Sequence, residues 1–373
     1  MPARVLDAYR DAAAQTVPLE KLQAAASKRI AEATGTEAGL VTCGCAAALT
    51  MGAAAILTRH DLSRMERLPH CEGFPHEFVI AREQRSGYDH AVRASGARLV
   101  EVGFNEIVAN AGVRRTEAWE YEAAFGEKTA GVVYVFGTGS QPPLKEVVER
   151  AHRHHLPVLV DAAGELPPRE NLKSIPATGA DLVCFSGGKS IRGPQATGIL
   201  CGRRELVGAA AVQMLDMDDH LELWDPPSEL IDKNKLEGIP RHGIGRHLKV
   251  SKDEIVALLT ALDLFVSGAY DAELVKYRGC LERIASELSS EALTCRLLEK
   301  GDGESPPQLE ITVDEATVGR TAFEICVSLR SGKPPIYLGH GRLAEGKLMV
   351  HPLCLNEDDA GVLAGRLRKE LGQ

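Results

Sequence analysis

The segment ADLVCFSGGKSIRGPQATGILCG, residues 180–202, holds two apolar runs on either side of a polar hinge. Leu182–Phe185 is the first run and ends at Ser186-Gly187-Gly188; Gly198–Cys201 is the second. Short apolar runs without alternation belong to strands buried on both faces of a sheet. Between them stands Lys189, and the chain then turns at Gly193-Pro194. The GGKS string shares its end with a phosphate-binding P-loop. That loop needs a glycine where Val183 stands and a helix where Gly193-Pro194 turns the chain. A nucleotide-hydrolase reading fails on both counts, which leaves a lysine held at the end of a buried strand.

Further runs of the same kind extend to both sides. EFVIAR, RLVEVG, GVVYVFGTGS and LPVLVDAAGE read as strands, and the helical patterns GYDHAVRASGA and LKEVVERAHRHH separate them. AGLVTCGCAAALTMGAAAIL reads as a strand, a glycine turn and an Ala-rich helix. This alternation predicts a parallel or mixed sheet covered by helices, with ligands at the carboxyl ends of its strands. GTGS at 137–140 follows a strand but lacks dinucleotide spacing and runs into Pro142-Pro143, so it is a loop.

Before this region, residues 1–40 read as an N-terminal helical segment, and 41–265 form the large sheet domain. From Lys252 a helical pattern runs to about residue 290. PQLEITVDE, TAFEICVSLR, PPIYLG and KLMVHPL then read as short antiparallel strands, and NEDDAGVLAGRLRKEL as a closing helix. Residues 266–373 are thus expected to be a connecting helix and a small α+β domain.

Of the 373 residues 44% are hydrophobic and 25% charged, so a large core is expected. The net charge of −9 argues against a nucleic-acid surface. No apolar run reaches membrane-spanning length and the N-terminus lacks a signal-peptide core, so a cytoplasmic protein is expected. Nine cysteines, mostly in apolar runs, read as buried thiols. No set has zinc-ligand spacing, and no metal is expected; His152, His154 and His155 read as a solvated helix end.

Three features carry chemistry together. Lys189 lies at a strand end, where an amine can form a Schiff base. Asp161 ends VLVD, and a buried carboxylate needs a cationic partner such as a pyridinium nitrogen. Ala163, two residues on, is small enough to lie against a flat ring. TCGCAAALT places small residues at a helix start, where free N–H groups can hold a phosphate. Each alone has a plainer reading: a turn lysine, a capping aspartate, a packed alanine helix. In combination they are what pyridoxal phosphate requires.

VLVDAAGELPP, DLVCFSGGKSIRGPQATGILCG, RSGYDHAVRASGARLVEVG and GIGRHLKVSKDEIVALLTALD resemble the selenocysteine-synthase-like branch of fold-type I pyridoxal-phosphate enzymes. The similarity is nearest to the D-glucosaminate-6-phosphate ammonia-lyase type. It implies an aspartate-aminotransferase-like α/β fold with Lys189 as the Schiff-base lysine and Asp161 on the ring nitrogen. Gly44, Cys45 and Ala46 would hold the phosphate, with Ser186 nearby. Gln195 of the Gly-Pro-Gln block is a candidate contact to cofactor or substrate, and Arg246, Lys249 and Lys252 are candidates for anions. Members of this fold are dimers or larger, with sites at the subunit interface.

Two positions depart from that pattern. Where the family commonly has Gly-His-Arg before its Tyr-Asp-His block, this chain reads REQRSGYDH, and Gln84 takes the place of a ring-stacking histidine. Near the C-terminus the family's arginines are replaced by the strings PPIYLGHGR and VHPLCL, with Arg342 as the substitute carboxylate ligand. The resemblance implies a lyase that converts a β-hydroxy or sugar-derived amino acid into a 2-oxo acid and ammonia. A racemase or aldolase, a selenium transferase on seryl-tRNA and a non-catalytic pyridoxal-phosphate protein are the alternatives.

Overall fold

The computed structural model describes residues 1–373 except 109–111, 138, 217, 289–290 and 372–373. The chain divides into two compact units, Met1–Ser267 and Gly268–Gln373.

The first unit is built on seven strands: β1 (Ala38–Thr42), β2 (Glu77–Ala81), β3 (Arg98–Val102), β6 (Thr129–Val135), β7 (Val158–Asp161), β8 (Leu182–Ser186) and β9 (Gly198–Gly202). A small hairpin, β4 (Glu106–Val108) with β5 (Gly112–Arg114), stands apart from this sheet. The strand order is β1-β9-β8-β7-β6-β2-β3; β9 runs against both neighbours and the other pairs are parallel. Val158–Val160, Leu182–Phe185 and Ile199–Cys201 are fully buried, as the unbroken apolar runs require. The six strands that run in one direction end at one edge, with Thr42, Asp161 and Ser186 at three of their carboxyl ends.

Helices α1 (Ala3–Ala13), α2 (Leu19–Thr34) and α3 (Cys45–Thr58) open the chain. Helix α3 is apolar all round and buried along nearly its whole length, so it is a core helix, and it packs across β7, β8 and β9. The helix Lys252–Val266 begins with a capping box between Ser251 and Glu254 and packs on α1.

The second unit has a three-stranded antiparallel sheet, β10 (Leu293–Leu298), β11 (Gln308–Val313) and β12 (Lys347–Val350), with β11 in the middle. Helices Ala272–Glu287, Ala322–Ser331 and Glu357–Glu370 complete a core that includes Leu281, Ile284, Ile311, Ile325, Leu348 and Leu367.

Four local expectations change. The helical pattern from Lys252 is broken between Val266 and Ala272, where Gly268 takes φ +74°. TAFEICVSLR is a helix, because Thr321 and Glu324 form a capping box at its start. PPIYLG is not a strand: Gly339 makes an isolated bridge to Met349, and the two prolines bring no N–H to a ladder. The histidine cluster is bound as well as solvated. His152 Nε2 lies 2.9 Å from the buried Asp181 carboxylate and His154 Nε2 3.1 Å from Glu122. Among the described residues, no helix is long and apolar enough to cross a membrane.

Candidate active site

Asp161 is the last residue of β7 and its Cα neighbours across the sheet are Val135 of β6 and Cys184 of β8. It is 9% exposed. Its Oδ1 accepts from the N–H of Ala163 at 3.0 Å and from the thiol of Cys45 at 3.9 Å. The other oxygen takes no hydrogen bond from a described residue. Burial pushes the carboxyl's pKa above its ordinary value, and the Ala163 N–H, the charge of Lys189 and the Cys45 thiol oppose that shift. A buried acid so poorly supplied with donors has room for a cationic partner.

Lys189 leaves the turn after β8, and its side chain is exposed in the single chain. A Cβ placed on Gly164 would lie 3.7 Å from Lys189 Nζ, so the amine reaches the turn that follows Asp161. The two glycines before it serve close packing. A Cβ on Gly188 would lie 2.6 Å from the backbone of Gln195, and neither Gly187 nor Gly188 has a positive φ. The hinge is a tight fit between two chain segments.

The helix-start cup lies beside these groups. Gly44 is the N-cap of α3, with φ +102°, and no side chain caps the helix. Its first-turn N–H groups are therefore left for a ligand. Cys45 is buried in that first turn, while Ala46 is exposed. Thr42, Gly198 and Ser186 sit side by side at the ends of β1, β9 and β8. A Cβ on Gly198 would come within 2.4 Å of the Gly44 carbonyl carbon and 2.5 Å of the Cys45 nitrogen, so only glycine lets the cup lie on β9. An uncapped helix start, a buried underpaired carboxylate and an amine at one sheet edge fit the phosphate, ring nitrogen and aldehyde of pyridoxal phosphate.

Gln84 is buried in the short turn after β2. Its Oε1 accepts from the N–H of Val135 at 3.0 Å and its Nε2 donates to the carbonyl of Gln141 at 3.4 Å. Its amide thus ties the end of β2 to the loop after β6. Tyr134 supports that loop from below: its hydroxyl donates to the Pro142 carbonyl at 2.8 Å, and burial pushes its pKa up to about 12. Arg115 pairs with Glu83 and donates to the Gly139 carbonyl at 2.9 Å. Gln195 is exposed, directly over Gly188.

The candidate cations have other partners. Lys252 Nζ donates to the carbonyls of Ala12 and Ala13, at 3.0 and 3.1 Å, and so caps the C-terminal end of α1. Arg246 pairs with Asp216, while Lys249 is exposed. Arg342 lies in the second unit and pairs with Glu310 and Glu345. Reading the sequence missed Gly198, Tyr134, Arg115 and Cys184. Gly198 alone left a signal, as a glycine opening an apolar strand.

Comparison with known proteins supports the same chemistry. Residues 99–217 match the Aminotransferase class-V family. A 5'-C-glycyluridine monooxygenase-decarboxylase from a Streptomyces species is 30% identical, over 98% of this chain and 85% of its own length. A D-glucosaminate-6-phosphate ammonia lyase from Salmonella typhimurium is 25% identical over 98% of this chain and 89% of its own. An L-seryl-tRNA(Sec) selenium transferase from Geotalea daltonii is 28% identical over 91% of this chain and 70% of its own. A solved D-glucosaminate-6-phosphate ammonia-lyase structure superposes with a TM-score of 0.80 at 25% identity, covering all of this chain and 91% of that one.

Proposed function

Because the chain belongs to the aminotransferase class-V family of pyridoxal-phosphate enzymes, in its selenocysteine-synthase-like branch, we propose that it is an ammonia-lyase. The substrate class is a β-hydroxy or sugar-derived amino acid and the products are a 2-oxo acid and ammonia. The observation that carries this reading is the meeting of Asp161, Lys189 and the open start of α3 at one sheet edge. The likeness to the ammonia-lyase structure over the whole chain supports it.

When bound, pyridoxal phosphate supplies an electron sink for the bond that breaks at the substrate Cα. The rest falls to the chain. The N–H groups of Cys45 and Ala46 would grip the phosphate, with Ser186 at the neighbouring strand end; Gly44 lines the cup, but its own N–H donates to the Thr42 carbonyl at 2.9 Å. Asp161 holds the ring nitrogen's proton, and Ala163 fixes the carboxylate's direction through its N–H. Gln84, by bracing the β2 and β6 ends, shapes the face opposite. Lys189 Nζ would hold the cofactor's aldehyde end and would take the proton from the substrate Cα. The β-hydroxyl then leaves with a proton as water. A second water hydrolyses the released enamine to the oxo acid and ammonia.

Gln195 and a second copy of the chain complete the site in this reading; the exposure of Lys189, Gly164 and Ala46 in the single chain supports a homodimer. Lys249 is a candidate anion contact toward that copy, with Arg246 and Arg342 requiring release from their acids. A cytoplasmic location is part of this reading. Borohydride reduction of the purified protein with pyridoxal phosphate, followed by peptide mapping, tests the cofactor assignment. A pyridoxyl adduct on Lys189 is expected, and an adduct elsewhere or none overturns it. Incubation with D- and L-β-hydroxy amino acids is expected to release equal amounts of ammonia and oxo acid from at least one of them.

The 30% identity to a monooxygenase-decarboxylase favours a second reading, in which the substrate carboxylate leaves as carbon dioxide and dioxygen is the oxidant. Oxygen uptake matched by carbon dioxide release would support it in place of elimination. Racemase or aldolase chemistry would show as substrate inversion or aldehyde release in the same panel. Selenium transfer requires seryl-tRNA binding at physiological salt, which the acidic charge disfavours.

A further inference from the structure

The side chain of Cys45 points away from the phosphate cup that its backbone helps to form. Its thiol lies against Asp161 Oδ1, at 3.9 Å, within the distance for a sulfur donor. Behind it stands Cys184 of β8, the Cα neighbour of Asp161, whose thiol neighbours that of Cys45. Cys184 is fully buried. We propose that Cys45 is a positioning residue for the ring-nitrogen anchor: backed by Cys184, its thiol holds Asp161 and sets how firmly that carboxylate keeps a pyridine nitrogen protonated. This rests on the pyridoxal-phosphate reading and extends it to a residue otherwise assigned only to the phosphate.

Three observations argue for it. The described donors to Asp161 are one backbone N–H and this thiol, so the thiol is a large share of a small supply. The ionisable groups facing Asp161 are Cys45 from α3, Cys184 from β8 and Lys189 from the turn after β8. Burial, reinforced by the neighbouring Cys45 thiol and Asp161 carboxylate, drives the Cys184 pKa far up, so it stays a neutral thiol behind Cys45. The cysteine also joins two functions in one residue, since the phosphate end and the nitrogen end of the cofactor are both reached from the first turn of α3.

The test uses the full chain loaded with pyridoxal phosphate, as wild type, Cys45→Ala and Cys45→Ser. Three readouts are taken without substrate: the pH midpoint of the visible band of the bound cofactor, the cofactor dissociation constant and the melting temperature. Removing the donor leaves Asp161 more basic, so it draws the ring-nitrogen proton toward itself. The ring then withdraws electrons less, and the linkage to Lys189 keeps its own proton to higher pH. The midpoint is expected to rise by about half a pH unit in Cys45→Ala. Cys45→Ser, with a stronger donor in the same place, is expected at or below the wild-type midpoint. Midpoints unchanged in both variants overturn the proposal, even if affinity and melting temperature fall, because that pattern belongs to a packing role. A wild type with no visible band overturns the cofactor reading itself, and this inference with it.

Discussion

Gly198 of β9 lies directly beneath Gly44, so closely that a single added methyl group would overlap the carbonyl carbon of Gly44 and the amide nitrogen of Cys45. The antiparallel strand of the sheet is therefore the floor under the start of α3, where the proposed reading puts the phosphate. Gly198→Ala forces the start of α3 off the sheet. Overpacking of this kind costs about 1–3 kcal/mol. A larger effect is expected on function, because the open N–H groups of the helix start move together: cofactor affinity should fall by about tenfold or more. Fluorescence titration with pyridoxal phosphate, beside a melting curve, separates the two. Unchanged affinity would show that the phosphate is held elsewhere.

The strand ends around that floor were legible because buried parallel strands leave unbroken apolar runs, and Asp161 and Lys189 stand where those runs stop. What was not legible depended on distant partners. Gln84 stands where the resemblance implies a ring-stacking histidine, and the structure adds that its amide is bound to Val135 and Gln141. Lys252 and Arg342 looked like available cations, but carbonyls of α1 and two glutamates take them. In the second unit TAFEICVSLR has the β-branched and aromatic content of a strand, and the Thr321–Glu324 capping box outweighs it.

Gln84 is expected to act through the backbone it braces. Gln84→Ala leaves the buried Val135 N–H without its acceptor, at a cost of about 1–3 kcal/mol. Gln84→Glu keeps that acceptor but buries a charge and cannot donate to the Gln141 carbonyl while ionised. Its melting temperature should fall further below wild type at pH 8 than at pH 5. Equal deficits at both pH values would rule out a buried charge at this position.

Asp181 serves the fold at the far end of β8 from Lys189. Its buried carboxylate accepts from the N–H of Val158 at 2.8 Å, is paired with Arg203 at 3.1 Å and lies 2.9 Å from His152 Nε2. Removing it leaves the buried Val158 N–H without its acceptor, at a cost of about 1–3 kcal/mol, while the half-exposed Arg203 and His152 turn to water. Asp181→Ala is expected to lower the denaturant midpoint sharply, with an unchanged slope, while the fraction that remains folded keeps its visible cofactor band. Loss of the band from folded protein would connect this edge of the sheet to the active site.

Asp161 itself predicts a trade between stability and function. In the cofactor-free chain burial raises its pKa, so the folded state binds a proton that the unfolded state has already released. Its contribution to stability is therefore lost as pH rises from the ordinary carboxyl range through the raised value. Asp161→Asn removes the charge and keeps the shape. At pH 7 the cofactor-free variant should melt above wild type, by about 2–4 °C for a gain near 1 kcal/mol. The gap should close as pH falls below the ordinary aspartate range of about 4. With pyridoxal phosphate the order should reverse, because asparagine offers the ring nitrogen no negative charge. Calorimetry of both proteins, with and without cofactor across that pH range, checks each sign. A variant less stable than wild type at pH 7 without cofactor would mean that the Ala163 N–H and the Cys45 thiol already satisfy the carboxylate.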